Sequence, residues 1–365
     1  MKILIISTNA DEAGAPRHVE TIVNGLSSKY QLIIVFGENG PVSTRLKNSG
    51  HAVHIVSEMR TAISPIKDLI ALFKIIKLVH RTQPDIVHCH SAKAGMLGRM
   101  AAFFNGKQWI YTVHGWGWRG VSSLTRKTIT FIEKLLSKLP LGFYIFVAKD
   151  VMREAIRVIG LNEDRGTIVH NGVPLIKACP PPDSLPLVIL MPARVTPAKD
   201  HKSLLLAFER LDDSSSRLFL CGEGTDSSEF MAFAKSLAPR TFTNITFFGQ
   251  RSDVDVMYSQ SHVVALISHF EAFPLSIIEA MSCGRSIVAT NVGGIPELIN
   301  SGVNGILVKP KCVDDIVDAL TRYRDERIRI DHGNNAKSTY NKFYTEKSMI
   351  ESISRIYNSL APGLK

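Results

Sequence analysis

The amino-acid sequence predicts an α/β protein made of two Rossmann-like halves, each a parallel sheet covered by helices. Three observations predict it. Short β-branched runs alternate with longer stretches of helical period along all 365 residues, and such alternation builds parallel sheets. The strand runs are apolar at successive positions, as strands buried on both faces are. Near the middle, the run from Cys179 to Pro186 (CPPPDSLP) can continue neither a helix nor a central strand, so it reads as a linker. A chain of this length suits two domains. The expected boundaries are 1–178, linker 179–186, 187–342, and a terminal helix in 343–365 that packs back on the first domain.

The elements follow in order. The run at 2–7 (KILIIS) is too short for a secretory leader and has acidic residues close behind it, so it reads as a first buried strand. Further strands are expected at 31–36, 52–56, 85–88, 109–114, 143–147 and 167–170, with helices near 17–28, 64–82, 95–104, 122–138 and 149–159. After the linker the pattern restarts, with strands at 187–193, 217–221, 245–248, 263–267, 286–289 and 306–308. Helices near 201–211, 227–237, 275–282, 295–300 and 313–324 separate them. Two such halves would place a cleft between them, at the carboxyl ends of the strands.

Composition narrows the function classes. Hydrophobic residues at 45% and charged residues at 21% suit an ordinary globular core, and near-average Gly and Pro exclude collagenous and low-complexity chains. Five scattered cysteines without paired spacing argue for a reducing compartment, against a disulfide framework and against a zinc site. No apolar run has membrane-spanning length. The expectation is a cytoplasmic protein resting on a membrane. Charge is uneven: residues 1–178 hold 23 Lys/Arg against 12 Asp/Glu, while residues 179–365 hold 20 against 21. The first half should therefore meet something anionic.

The most informative segment runs from Glu271 through Glu279 to Gly284, followed by Gly293-Gly294-Ile295-Pro296-Glu297. A helix starting near Leu275 would offer the Leu275 and Ser276 amides to a phosphate, Pro274 having no N–H. Glu271 and Glu279 on either side suit sugar and ribose hydroxyls. Either glutamate alone reads as an ordinary helix-start or solvated carboxylate; the whole string does not.

E-x7-E with this context resembles the retaining glycosyltransferases of family 4, which have the GT-B fold, and in particular members that build bacterial surface polysaccharides such as O-antigen and capsule. The resemblance spans nearly the whole chain. Ala13-Gly14-Ala15 is similar to the family's G-G-A loop, with Ala13 in place of the first glycine. Asp85–His90, Thr112-Val113-His114-Gly115-Trp116, Asn171-Gly172-Val173, Arg194 with Lys199, Gly222-Glu223-Gly224 and Phe248-Gly249 each match a family segment, in order. The resemblance implies a UDP-linked sugar donor, with GDP left open, and a polyprenyl-diphosphate-linked glycan acceptor. It assigns Glu271, Arg194, Lys199 and His114 to catalysis. Gly14, Phe273, Leu275, Ser276, Glu279, Gly222, Glu223, Gly249, Gln250 and Arg251 would hold the donor. No D-x-D stands where a metal would hold the diphosphate, and Asp253-Val254-Asp255 reads as helix-start acids. The expectation is no cofactor and no metal, with Arg194, Lys199 and the helix start replacing the ion.

Two basic amphipathic helices add a membrane expectation. Lys67, Lys74, Lys77 and Arg81 share one face of 64–82, and Lys127, Lys134 and Lys138 form a stripe on 122–139. Both suit anionic lipid headgroups. Trp116, Trp118 and Arg119 on the neighbouring loop are expected to reach that interface or stack on an acceptor sugar. The alternatives are a nucleotide-sugar 2-epimerase on the same fold and, on charge alone, a nucleic-acid-binding protein. The latter lacks a basic–aromatic strand pattern or groove helix, so no nucleic-acid partner is expected.

Overall fold

A computed structural model describes residues 1–119, 121–176, 186–211, 215–251 and 253–360. The expected linker 179–186 lies outside the described residues except for Pro186. The chain divides into two compact units, residues 1–171 with 346–365, and residues 172–345.

In the first unit, strands β1 (Lys2–Ser7), β2 (Gln31–Phe36), β3 (Ala52–Ile55), β4 (Ile86–His90), β5 (Gln108–Val113), β6 (Gly142–Phe146) and β7 (Gly166–Ile168) form one sheet. Its order is β3-β2-β1-β4-β5-β6-β7, and every pairing is parallel. Helices α1 (Gly14–Leu26), α2 (Pro41–Asn48), α3 (Pro65–Thr82), α4 (Ala92–Phe104), α5 (Ser123–Leu136) and α6 (Lys149–Ile159) make the crossovers. Right-handed crossovers put α1 and α2 on one face and α3 to α6 on the other. The core between β1, β2 and α1 includes Ile3, Ile5, Ile22, Ile34 and Phe36, and it takes in Ile350, Ile353 and Tyr357 from the last helix.

The second unit repeats the plan. Strands β8 (Val188–Pro192), β9 (Arg217–Cys221), β10 (Ile245–Gly249), β11 (Val263–Leu266), β12 (Ser286–Thr290) and β13 (Ile306–Val308) lie in the order β10-β9-β8-β11-β12-β13. Helices α7 (His201–Arg210), α8 (Ser228–Leu237), α9 (Val254–Ser259), α10 (Leu275–Ser282), α11 (Ile295–Leu298), α12 (Val313–Arg322) and α13 (Glu326–Phe343) connect and cover them. The final helix α14 (Glu346–Ser359) belongs to the first unit.

The two separate parallel sheets are those the alternation predicts. Several boundaries differ. Helix α1 begins at Gly14, and α4 at Ala92, each three residues before its expected start. Pro274 sits at the N-cap of α10 rather than inside its first turn. Helices α2 and α13 have no counterpart in the sequence reading. Asp253 does precede a helix, α9. No helix among the described residues is long and apolar enough to cross a membrane.

Both sheets reverse their strand order once, between β1 and β4 and between β8 and β11. At such a switch the loops leaving the two strands turn to opposite faces and open a crevice at the carboxyl ends. In each unit, that is where the chemistry-bearing loops lie.

Candidate active site

In the second unit, the loop after β8 carries Arg194 and Lys199, and the loop after β11 carries Glu271. Backbone bonds zip the two loops together: Asp200 N donates to Ile267 O (2.9 Å) and His269 N to Ala198 O (2.8 Å). The zipper brings the Lys199 ammonium onto Glu271 Oε1, and Ser268 Oγ donates to the same oxygen at 2.7 Å. Asp200 then caps α7, accepting from Ser203 N at 3.0 Å, which anchors the far end of the lysine loop.

Two glycines set the approach distances. A Cβ on Gly293, at φ +54°, would lie 1.8 Å from the Glu271 carbonyl oxygen, so only glycine lets the G-G-I-P-E turn back the Glu271 loop. Gly222, at φ +148°, passes the Ala193–Arg194 peptide so closely that a Cβ would meet the Arg194 nitrogen at 2.7 Å. Val195 N donates to Glu223 O at 2.9 Å, and Arg194 Nη1 stands 3.8 Å from Glu223 Oε2. Arg194 and Glu223 are thus brought together, as are Lys199 and Glu271.

The other donor-side residues are distributed around these loops. Leu275 and Ser276 form the first turn of α10, where amides have no intrahelical acceptor. Glu279, one turn on, is buried, and its Oε2 lies 2.9 Å from the Tyr258 hydroxyl. Gly249, at φ +63°, ends β10 beside Asp226, and Gln250 follows it exposed. Arg251 pairs with Asp253 at 2.6 Å. The Phe273 ring is buried and packs edge-on against Tyr344 at 5.7 Å, leaving its backbone at the loop.

In the first unit, Gly14 opens α1 and His114 directly follows β5. The fold sets His114 beside two histidines that sequence reasoning left unassigned, His18 on α1 and His90 at the end of β4. His90 Nδ1 lies 3.1 Å from His114 Nε2, and the His18 ring meets His114 edge-on at 4.7 Å. Behind them His88 contacts the Tyr357 hydroxyl (2.6 Å) and Thr112 Oγ1 (2.7 Å). Burial holds these rings neutral. It lowers His18 to about 4, against the Asn171 side chain, which raises it. It lowers His88 to about 3, and holds His90 and His114 well below the usual imidazole range. Ser91, next after His90, sits at φ 69° and ψ 158°, a region that costs a non-glycine residue about 1–3 kcal/mol. Its hydroxyl lies 2.7 Å from Thr8 Oγ1 on the loop after β1. Strain thus collects at the switch between β1 and β4.

The tryptophan expectation is corrected. Trp116 and Trp118 are 4% and 2% exposed and stack on each other at 4.3 Å. Their indole N–H groups donate inward, to Val151 O at 2.9 Å and Glu154 Oε1 at 2.7 Å. Arg119 pairs with Asp150 and Glu154. With every indole donor satisfied on α6, these rings clamp a loop and cannot reach a surface. Lys127, Lys134 and Lys138 are exposed on or just beyond α5.

Helix α5 is attached unusually. Its only buried residues are Leu136 and Glu133, and both Glu133 carboxylate oxygens accept from Nη2 of a fully buried Arg99 at 2.8 Å, while Nη1 donates to the Tyr144 hydroxyl at 2.9 Å. Its apolar Leu124, Phe131 and Leu135 point to solvent, Leu124 at 76% exposure. Ile66, Leu69 and Phe73 on α3 and Phe103 and Phe104 on α4 are also exposed, on the same face of the sheet.

Comparison with known proteins decides the family. Residues 13–177 match the family described as Glycosyltransferase Family 4, and residues 176–339 match Glycosyl transferases group 1. The chain belongs to these glycosyltransferases. Among curated relatives, the UDP-Gal:alpha-D-GlcNAc-diphosphoundecaprenol alpha-1,3-galactosyltransferase of Escherichia coli is 26% identical, over 83% of this chain and 82% of its own. The N,N'-diacetylbacillosaminyl-diphospho-undecaprenol alpha-1,3-N-acetylgalactosaminyltransferase of Campylobacter jejuni is 23% identical, over 86% of this chain and 88% of its own. Among solved structures, Anabaena Alr3699/HepE, in complex with UDP and glucose, superimposes with a TM-score of 0.84 at 19% identity, covering 98% of this chain and 100% of its own. This glycosyltransferase therefore has the GT-B fold.

Proposed function

We propose that this glycosyltransferase moves a hexose or N-acetylhexosamine from a UDP-sugar to a polyprenyl-diphosphate-linked glycan in surface-polysaccharide synthesis, working as a peripheral protein on the inner face of the cytoplasmic membrane. The observation that carries the reading is the Lys199–Glu271–Ser268 contact beside the Gly222-fixed Arg194 loop. It sets two cations and one hydroxyl-binding carboxylate at the carboxyl end of a parallel sheet, next to a helix start. The activities of the two relatives support the acceptor and the donor class, and both are transferases rather than epimerases.

As the glycosidic bond breaks, negative charge grows on the leaving diphosphate. Arg194, Lys199 and the Leu275 and Ser276 amides stabilise it in place of a divalent ion. Glu271, held by Lys199 and Ser268, accepts hydrogen bonds from hydroxyls of the transferred sugar, and in the family reading His114 offers that sugar a further hydrogen bond. Glu271 stands among the phosphate-side groups, a poor position for attack on the sugar's opposite face. The reading is therefore a front-face transfer with retention. The acceptor oxygen bonds to the anomeric carbon, its proton passes to the departing phosphate oxygen, and the sugar–phosphate bond breaks. The exposed apolar and basic face of α3, α4 and α5 supports membrane docking: apolar side chains enter the headgroup boundary and lysines meet anionic lipid.

The test is UDP release from UDP-hexoses with and without an undecaprenyl-diphosphate-linked N-acetylhexosamine, with NMR of the product. Acceptor-dependent release and an α product from an α donor are expected, and activity should survive EDTA. Isomerised nucleotide sugar without acceptor would favour the epimerase. A β product would exclude retention, and loss to EDTA rescued by magnesium or manganese would overturn the metal-free reading.

A further inference from the structure

The three imidazoles at the β1–β4 switch have a property that transfer does not use. They come from three separate elements, α1, β4 and the loop after β5. One ring nitrogen from each of His18, His90 and His114 lies within 4.8 Å of the other two. His90 Nδ1 and His114 Nε2, 3.1 Å apart, already have nearly the separation of two ligands on one tetrahedral ion, about 3.3 Å for metal–nitrogen bonds of about 2.0–2.1 Å.

Satisfaction of the buried nitrogens points the same way. His90 is 0% exposed and His18 3%. Neither His18 nitrogen makes a hydrogen bond of normal geometry among the described residues. A buried polar atom left so costs about 1–3 kcal/mol, and native interiors rarely leave several together. The contact between His90 and His114 accounts for one nitrogen of each ring, and a neutral imidazole offers one lone pair. A cation at the convergence point would take a lone pair from all three rings at once. Three imidazoles without a carboxylate suit zinc, cobalt, nickel or copper, and do not suit magnesium, calcium or manganese, which prefer oxygen.

We propose that His18, His90 and His114 form a binding site for a divalent transition metal, zinc above all, separate from the sugar-diphosphate chemistry. Three protein ligands leave the fourth position of a tetrahedral ion to water or a substrate oxygen. One consequence rests on the reading of His114 given above: an ion that occupies its nitrogen withdraws it from the sugar, so zinc should slow transfer.

Binding and inhibition are tested separately. Full-length protein without a histidine tag is stripped with chelator, dialysed and titrated with Co2+, following the visible bands that strengthen when cobalt becomes four-coordinate. The expected result is one equivalent bound, displaced by Zn2+ and not by Mg2+. In His18→Gln and His90→Gln, affinity should fall by at least about tenfold, with circular dichroism and melting checking the fold. His18 lies on a helix rather than a core strand, so its variant remains informative if the His90 variant fails to fold. No cobalt band, or wild-type affinity in a folded His18→Gln protein, overturns the site. Zinc should inhibit transfer in the wild type and spare His18→Gln. Binding without inhibition would keep the metal site and remove His114 from sugar positioning.

Discussion

The two units share one plan, a parallel sheet with a single reversal of strand order, and they use it in opposite ways. The second unit concentrates its functional charge at loop ends: Arg194, Lys199 and Glu271 stand where β8 and β11 finish, and residues 179–365 are close to neutral in sum. The first unit spreads positive charge over helix surfaces and leaves apolar side chains of α3, α4 and α5 outside, while its strand ends hold neutral, buried histidines. A Rossmann-like sheet fixes neither its loops nor the outer faces of its helices. Duplicating the plan therefore lets one copy carry its charge at strand ends and the other on helix faces, a division that suits the phosphate chemistry and the membrane attachment proposed above.

The sharpest way to break the comparison is at α5. Arg99→Ala leaves Glu133 as an unpaired buried carboxylate, which should destabilise the first unit by about 3–5 kcal/mol and leave the second unchanged. Replacing both partners with apolar residues (Arg99→Met with Glu133→Leu) should recover most of the loss. Hydrogen exchange resolved by unit is the measurement, and equal loosening of both units would show that α5 is not held locally.

The loop charges come next. Lys199→Ala and Arg194→Ala should each lower turnover by the equivalent of about 2–4 kcal/mol in the transition state with unchanged melting. Wild-type turnover in both would reduce them to surface charges.

Acid should separate the units. His201 in the second unit is lowered to about 4, chiefly by burial; His18 and His88 in the first are lowered to about 4 and 3 for the same reason. A histidine whose folded pKa is depressed binds its proton only after unfolding. Its contribution is complete above the unfolded value of about 6.5 and is lost as pH falls toward the folded value, about 2 kcal/mol per group by pH 5. With His90 and His114 added, the first unit should lose stability faster below pH 6.5. Thermal unfolding with exchange readout across pH 5 to 7 checks it, and earlier loss of the second unit would contradict it.

The smallest expected effect is at the surface. Lys127, Lys134 and Lys138→Glu together should weaken binding to anionic vesicles on the order of tenfold or more, and salt should release the wild type. An equal effect from three reversals in the second unit would mean that charge asymmetry does not direct docking.

The strands were legible because runs such as 32–36 and 263–267 are apolar throughout. Lys199 and Glu271 could be singled out for the same reason: each follows a recognisable strand, at motif spacing. The histidine trio was not legible, because positions 18, 90 and 114 meet only through the adjacency of β1, β4 and β5. The burial of Trp116 and Trp118 depends on acceptors on α6, more than thirty residues away. Helix α13 escaped notice because its buried face includes Arg329, His332 and Gly333, which give no apolar stripe. Gly333 packs against the Gly284 backbone, where a Cβ would lie 2.2 Å from a carbonyl oxygen.

Helix α14, which follows the second unit in sequence, lies inside the first unit. Tyr357 reaches His88, Ile350 fills the space beside Gly25, and both belong to the core around β1 and α1. On the ribosome, residues 1–171 must therefore wait for α14, which is translated only after the whole of the second unit. The second unit, wholly contained between residues 172 and 345, has its complete sequence earlier and can close while its neighbour is still missing a wall. Synthesis order and completion order are inverted: the first unit, begun first, can close only after the second unit's sequence is complete.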